Sequence, residues 1–424
     1  MEQMMYDGFV RILKKELVPA LGCTEPIALA YAAAKARQVL GAFPERVVTT
    51  CSGNIIKNVK GVVVPATGGL RGIEAATLIG TVGGDPERKL EVLTGVTDED
   101  RARVRQLLAE NLCTVKLSDS SAKLHIIVEM AAGDDTALVE ILHSHTNIVR
   151  IEKNGQTLFR QSGEEEAPSE EDPDYALLDL EHILEFAETV QIDDVREVLD
   201  RQIQYNLKIA EAGLTGTYGG NVGKTLREAY GDSFDVMARA LPAAGSDARM
   251  SGCELPVVIN CGSGNQGMTA SLPVIACAKE LGVSDEKRYR ALCVSNLTAV
   301  YQKRDIGRLS AYCGAVSAAA GAGVGMMYLR GGSLEDMANV LTCTLADVGG
   351  ILCDGAKSSC AAKIASSVEA ALLAIRMTEK RRGFGSGEGF IKDTIGETVA
   401  AISAIAREGM QVTDEVILDV MVNR

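Results

Sequence analysis

The chain contains no tryptophan, and aromatic residues make up only 4 % of its 424 positions. It is also poor in positive charge: 43 Lys and Arg stand against 57 Asp and Glu, which gives a formal net charge of −14. Nucleic-acid binding needs a basic surface that neutralises phosphates, and the short basic runs at 14–15 and 380–382 do not make one. This balance argues against a nucleic-acid partner and favours a small ligand.

Signals for export or membrane insertion are also missing. The first residues lack the basic start and apolar run of a secretory signal, so we expect a cytoplasmic protein. The uncharged stretch Ala311–Leu329 consists mainly of Ala, Gly and Ser, which predicts a buried core helix and no membrane span. Eleven cysteines, an odd number, fit reduced thiols better than a disulfide framework.

The apolar pattern predicts an α+β fold. Helical spacing covers 6–17 and 26–40, and a short strand is expected at 46–51. Alternation from Cys113 to Phe159 predicts an antiparallel sheet, and nearly everything after it has a helical period. We therefore expect three segments: an N-terminal α/β domain with an antiparallel β layer (1–162), an acidic linker (163–174) and a largely helical domain (175–424).

Two loops share the sequence Ser-Gly-Asn. In the second loop, small residues precede a helix expected at 268–279, so backbone amides can surround an anion at the helix N-terminus. A plain turn is an equal alternative for the first loop. The residues expected to bind a substrate carboxylate are Ser52, Gly53, Asn54, Ser263, Gly264, Asn265 and Gln266.

The cysteines between 310 and 370 are the strongest candidates for metal binding. Cys313, Cys353 and Cys360 lie among Gly, Ala and Ser, which leave room for a bulky group, and thiolates are the ligands that iron–sulfur clusters and zinc prefer. Spacing alone leaves open whether they bind metal or pack in the core. Other cysteines within apolar patterns are predicted to be core residues: Cys113, Cys277, Cys293 and Cys343.

Several common catalytic patterns do not occur. The sequence has no His-Glu-x-x-His, Gly-x-Ser-x-Gly or Cys-x-x-Cys. The segment Gly219–Thr225 falls one residue short of a P-loop, because Tyr218 stands where the motif requires glycine. The four histidines lie away from the glycine-rich loops, so structural roles are predicted for them: His125, His143, His145 and His182.

Four signatures in order resemble the L-cysteine desulfidase family, an uncharacterised family of the UPF0597 type related to the iron–sulfur L-serine dehydratase alpha chain. They are Leu21-Gly-Cys-Thr-Glu-Pro26, Cys51-Ser-Gly-Asn54, Gly262-Ser-Gly-Asn-Gln-Gly267 and Cys353-Asp-Gly-Ala-Lys-Ser-Ser-Cys360. The resemblance covers nearly the whole chain. Related serine dehydratases have a longer gap between their last two cluster cysteines, which favours the desulfidase branch.

This resemblance implies that Cys313, Cys353 and Cys360 hold a [4Fe–4S] cluster, that Cys23 is the base, and that Glu25 is a rival base. The implied reaction is α,β-elimination from a small L-amino acid, with L-cysteine giving sulfide, ammonia and pyruvate. L-Serine dehydration is the alternative reaction, and a metal-free amino-acid-binding protein is the alternative class. A homo-oligomer without a membrane partner is expected.

Overall fold

The computed structural model describes residues 1–120, 122–161, 173–307 and 309–422. The first seven α-helices are α1 (Gln3–Glu16), α2 (Thr24–Leu40), α3 (Gly53–Lys60), α4 (Ile73–Gly83), α5 (Asp98–Ala109), α6 (Pro173–Ala176) and α7 (Leu180–Thr189). The others are α8 (Ile192–Thr215), α9 (Val222–Tyr230), α10 (Phe234–Met250), α11 (Gly264–Leu281), α12 (Asp285–Arg304), α13 (Gly314–Leu329), α14 (Leu334–Val348), α15 (Cys360–Glu379), α16 (Ile395–Ala404) and α17 (Gln411–Val422). The strands are β1 (Pro19–Leu21), β2 (Arg46–Cys51), β3 (Cys113–Leu117), β4 (His125–Ala132), β5 (Asp135–Leu142), β6 (Ile148–Lys153), β7 (Gln156–Arg160) and β8 (Pro256–Val258).

The predicted α+β class is confirmed. Six strands form one sheet in the order β3-β2-β4-β5-β6-β7. Four strand pairs are antiparallel, as expected: β2–β4, β4–β5, β5–β6 and β6–β7. The pair β2–β3 is parallel, with Val47 opposite Cys113. A parallel pair needs a long crossover connection, and α3, α4 and α5 supply it here.

Helix α2 is buried almost all round because it lies between the sheet and α4. It contacts β4 and β5 on one side and α4 on the other. The approach to α4 is so close that a Cβ on Gly80 would stand 2.2 Å from the carbonyl oxygen of Ala30. Small residues along this contact therefore fix the position of α2, and with it the position of the α2 N-terminus.

Helix α13 forms the centre of the helical part. It packs against α11, α12, α14 and α15, and every residue from Ala315 to Leu329 is buried. Glycine permits this packing, since a Cβ on Gly321 would stand 2.6 Å from the carbonyl oxygen of Ser295. In the part of the chain that the structure describes, no helix is long and apolar enough to cross a membrane. The prediction of a buried core helix in this segment is confirmed.

The N-terminal segment of the chain, which comprises α1 and β1, is joined to the helical part. Strand β1 pairs antiparallel with β8, and α1 packs against α8 and α12. This pairing brings the N-terminus of α2 beside that of α11. The division into segments 1–162, 163–174 and 175–424 stays a prediction, and residues 163–172 of the expected linker lie outside the described residues.

The segment resembling a P-loop is filled by a side chain of the protein itself. It follows helix α8 and opens α9, whereas a P-loop follows a strand. The backbone N–H of Gly223 donates to Oδ2 of the buried Asp247, at 3.1 Å. A Cβ on Gly223 would also stand 2.4 Å from the carbonyl oxygen of Ala240. The glycines here serve helix packing, and an internal carboxylate occupies the α9 N-terminus.

Asp247 gives a test of the pH dependence of stability. Burial raises the pKa of Asp247 to about 6, although backbone amides of the loop partly oppose this. The folded protein therefore carries a penalty for the ionised carboxylate above pH 6, and the penalty disappears as the pH falls towards the pKa of the unfolded chain. We expect Asp247→Asn to raise the free energy of unfolding by up to about 3 kcal/mol at pH 8, with the difference falling below about 1 kcal/mol near pH 4.

Urea unfolding of both proteins at the two pH values measures this difference. Asp119→Asn, at an exposed position, is the matched control and should change the free energy of unfolding little at either pH. A stability difference for Asp247→Asn that does not vary with pH would contradict the assignment.

Candidate active site

A cavity of about 100 Å³ lies where both halves of the chain meet. Its wall includes Cys23 and Glu25 from the start of α2, and Cys313, Cys353 and Cys360 from the helical part. The cysteine residues predicted to be functional are far apart in the sequence, from Cys23 to Cys360, yet they line one small space.

Four helices begin at this cavity: α2, α11, α13 and α15. Their N-cap residues are Cys23, Ser263, Cys313 and Ser359, and none of these side chains accepts a hydrogen bond from its own helix. First-turn N–H groups have no partner within the helix, and the helix dipole places partial positive charge there. Four such ends around one cavity favour anionic groups within it.

Cys23 and Glu25 form a hydrogen-bonded pair. The Cys23 thiol donates to Glu25 Oε2 at 3.0 Å, and both side chains are buried. The hydroxyl of Thr24 lies 3.2 Å from the same oxygen, while Asn58 Nδ2 donates to Oε1 at 3.5 Å. His145 Nε2 stands 3.7 Å from Oε1, within ion-pair distance. The carboxylate is thus held from several sides.

The two members of this pair differ in charge. Burial raises the pKa of Cys23 well above its usual value, and the neighbouring Glu25 carboxylate raises it further. Burial also opposes ionisation of Glu25, but His145 and the Cys23 thiol outweigh it and lower the pKa of Glu25 to about 2. The negative charge of the resting pair therefore resides on Glu25, and Cys23 holds the proton.

The three expected cluster cysteines sit on adjoining backbone segments. Cys313 N–H donates to the carbonyl oxygen of Ile351 at 3.1 Å, and Cys353 N–H donates to that of Ala311 at 2.6 Å, so the two loops are tied together. Cys360 is the first residue of α15. All three thiols are free of disulfides. Burial, and then the neighbouring Cys353, raise the pKa of Cys313 to about 12.

This donor set fits an iron–sulfur cluster. Three thiols, soft donors of the kind that iron–sulfur clusters bind, line the cavity, and two of them stand at helix N-termini, which favour thiolates. Over the described ranges, no three His, Cys, Asp or Glu side chains converge as they would around a single metal ion. A cubane does not require such convergence, because each thiolate binds a different iron atom.

Two buried cations line the same cavity and were not predicted from the sequence. Arg249 on α10 is 2 % exposed, and Lys303 on α12 is 4 % exposed. Burial lowers the pKa of Lys303 to about 8, against the opposing effect of nearby cysteines that include Cys353. Their charges add to the preference of the cavity for anions.

The second Ser-Gly-Asn loop opens α11 at the cavity, and its role in substrate binding stays a prediction. Ser263, Asn265 and Gln266 line the cavity, and α11 begins at Gly264, four residues before the predicted start. The side chain of Gln266 lies against Gly314, where a Cβ would stand 2.5 Å from its amide carbon. This loop therefore joins the N-termini of α11 and α13.

The first Ser-Gly-Asn loop is placed differently. Ser52, Gly53 and Asn54 open α3 and line a neighbouring cavity of about 300 Å³, which α17 covers. A Cβ on Gly53 would stand 2.3 Å from the side chain of Leu418 in α17. Ser52 Oγ donates to the carbonyl oxygen of Lys123 at 2.8 Å. A role for this loop in substrate binding stays a prediction.

The structure differs from the sequence prediction for His145. This residue was expected to be structural, yet it lines the cavity beside Glu25. It comes from the turn between β5 and β6, and its position depends on the packing of α2 across the sheet. No local motif marks it, so the sequence carried no signal for this contact.

Comparison with known proteins gives consistent matches along the chain. The family described as "Serine dehydratase alpha chain" matches residues 87–419. A UPF0597 protein of Lachnoclostridium phytofermentans is 57 % identical over 419 residues, covering 99 % of this chain and 100 % of that protein. UPF0597 proteins of Desulfitobacterium hafniense and Treponema denticola are 49 % and 45 % identical over 99 % of this chain, and the matches cover 97 % and 99 % of those proteins. The chain therefore belongs to the serine dehydratase alpha chain family.

Proposed function

We propose that this chain is a lyase that catalyses α,β-elimination from a small L-amino acid, with L-cysteine as substrate. One observation carries the proposal: the buried Cys23–Glu25 pair lines the same small cavity as Cys313, Cys353 and Cys360. An elimination needs a group that removes the Cα proton and a group that stabilises the leaving group, and this cavity has a candidate for each.

Cys313, Cys353 and Cys360 would hold a [4Fe–4S] cluster. When bound, the cluster supplies a Lewis-acidic iron that stabilises the charge developing on the departing sulfur. The three thiols must lose their protons to serve as ligands. The N-termini of α13 and α15 favour the resulting thiolates, and the buried Lys303 ammonium compensates part of their charge.

Cys23 and Glu25 act together on the Cα proton in this proposal. Glu25 carries the negative charge of the pair and orients the Cys23 thiol through the 3.0 Å hydrogen bond. Asn58 donates to the other carboxylate oxygen, and His145 Nε2 lies 3.7 Å from that oxygen, so both help to hold the carboxylate in place. For its sulfur to accept the proton from Cα, Cys23 must first pass its own proton to Glu25. This transfer runs against the resting pKa values of the pair, so the thiolate forms only in the reacting complex.

The atoms of substrate and products balance, and the protein supplies no further reactant. Loss of the Cα proton and of the β-thiolate gives aminoacrylate and hydrogen sulfide, and water then converts aminoacrylate to pyruvate and ammonia. The small cavity and its buried polar groups suit a three-carbon amino acid. The reaction and its oxygen-sensitive cofactor fit a reducing cytoplasm, and we include a homo-oligomeric state in the proposal.

L-Serine dehydration is the second candidate, and the match to the serine dehydratase alpha chain over residues 87–419 favours it. The two reactions share every step assigned above and differ in the group that leaves Cβ. A metal-free protein that only binds an amino acid is the alternative from another class.

Anaerobic purification followed by iron and acid-labile sulfide analysis tests the proposal, with L-cysteine and L-serine assayed on the same sample. We expect about four iron atoms per chain, and sulfide together with pyruvate from L-cysteine. Four iron atoms with pyruvate from L-serine alone would assign the dehydratase. If reconstituted protein neither retains iron nor turns over either amino acid, the lyase proposal is wrong and the binding protein is favoured.

A further inference from the structure

Arg249 is a buried guanidinium without a counter-ion at contact distance. It is 2 % exposed, and within residues 1–120, 122–161, 173–307 and 309–422 no carboxylate forms an ion pair with it. A buried charge is costly unless an opposite charge and hydrogen bonds compensate it. Because Arg249 lines the cavity, a ligand that enters there can provide the compensation.

Two hydrogen bonds fix the orientation of this guanidinium. Arg249 Nε donates to the carbonyl oxygen of Gly22 at 2.9 Å, and Nη1 donates to Asn265 Oδ1 at 3.1 Å. The group also lies directly over the start of α11, because a Cβ on Gly264 would stand 2.5 Å from Arg249 Nε. Glycine is therefore required at 264 for the guanidinium to occupy this place.

The remaining N–H groups match one kind of ligand. A guanidinium has five N–H donors, and two of them serve Gly22 and Asn265, so three remain on Nη1 and Nη2. Their fork geometry suits the two oxygens of a carboxylate. The uncapped N-terminus of α11 beside them adds backbone donors and partial positive charge.

We propose that Arg249 is the anchor for the α-carboxylate of the substrate, with Asn265 and the N-terminus of α11 completing the carboxylate site. This inference rests on the proposed function and adds to it the residue that selects amino acids with a free carboxylate. Lys303 is a poorer anchor, because two of the cysteines near it, Cys313 and Cys353, would supply negative charge on binding the cluster.

Binding of L-alanine to the iron-loaded protein tests this anchor without turnover. L-Alanine keeps the carboxylate and amino groups but has no leaving group, and L-alaninamide lacks only the carboxylate charge. By isothermal titration calorimetry, the wild-type protein should bind L-alanine roughly 10- to 100-fold more tightly than L-alaninamide. Arg249→Gln should abolish this preference, and Arg249→Lys should restore part of it because the charge remains.

Asn265→Asp covers the case in which Arg249 variants do not fold. The substitution places a carboxylate 3.1 Å from Arg249 Nη1, so it supplies the missing counter-ion, keeps the side-chain shape and should raise the melting temperature. It should also remove the preference for L-alanine over L-alaninamide. Arg330→Gln, at an arginine paired with Glu379 outside the cavity, is the matched control and should keep the wild-type preference.

The outcomes separate the anchor from the proposed function. Wild-type protein that turns over L-cysteine but shows no preference for L-alanine overturns the anchor alone. The same conclusion follows if Arg249→Gln or Asn265→Asp folds and keeps the wild-type preference. Wild-type protein that neither binds L-alanine nor turns over an amino acid overturns both.

Discussion

Replacing Cys353 with alanine should remove both the iron and the activity from protein purified without oxygen. We expect the iron content to fall from about four atoms per chain to below about one, and L-cysteine turnover to fall below detection. Cys353 is one of the three thiols on the cavity wall that are expected to hold the cluster. If only Cys313 and Cys360 remain, half of the iron atoms of a cubane have no protein ligand. Iron analysis, visible absorbance and sulfide release measure the loss.

Cys343→Ala is the matched control for this substitution. Cys343 is also buried, but it lies in the middle of α14, and its thiol contacts Asn339 Oδ1 at 3.6 Å, away from the cavity. This variant should keep the wild-type iron content and turnover, with only a small loss of stability. Full iron content and activity in Cys353→Ala would show that the cluster is held elsewhere, and the assignment of all three ligands would fall with it.

The elements of the fold were largely predictable because each depends on local pattern. Helical spacing at 26–40 and alternation after Cys113 led to the correct elements, although α2 proves to be buried almost all round. The parallel pairing of β2 with β3 was not predicted, because strand neighbours follow from the path of the crossover helices rather than from either strand.

The site was predictable where small residues mark a loop that opens a helix. Ser263 precedes α11, as the small residues of its loop indicated, whereas Cys313 lies in the stretch 311–329 that was expected to be helical and is instead the N-cap of α13. The buried charged groups were not predictable. Arg249 lies at the C-terminal end of α10, where every residue from Pro242 to Met250 is buried, and its approach to Gly22 depends on the long-range pairing of β1 with β8.

A strained backbone position supports the same location for the site. Cys261, directly before the second Ser-Gly-Asn loop, has φ of 49° although it is not glycine, and Gly262 follows with φ of 78°. Non-glycine residues adopt this left-handed conformation at an energetic cost, and the surrounding structure must enforce it. The turn directs Ser263 and the first amides of α11 into the cavity, where an anionic ligand can use them.

Replacing Cys23 with alanine should separate catalysis from cluster binding. We expect Cys23→Ala to keep the wild-type iron content and visible absorbance, because Cys313, Cys353 and Cys360 remain. Turnover of L-cysteine should fall by roughly 10²- to 10⁴-fold, the usual effect of removing a general base. The cavity left by the thiol is small, so circular dichroism and the melting temperature should change little.

Because Cys23 and Glu25 share a hydrogen bond, the effect of Cys23→Ala on turnover has to be compared with the effect of Glu25→Gln. Glu25→Gln keeps the side-chain shape and an acceptor oxygen for the thiol but removes the charge that receives its proton, so it should also lower turnover while iron is retained. Loss of iron from Cys23→Ala would make Cys23 a cluster ligand rather than the base. If Cys23→Ala retains most of its turnover while Glu25→Gln does not, Glu25 removes the Cα proton directly, because its carboxylate is then the remaining base of the pair.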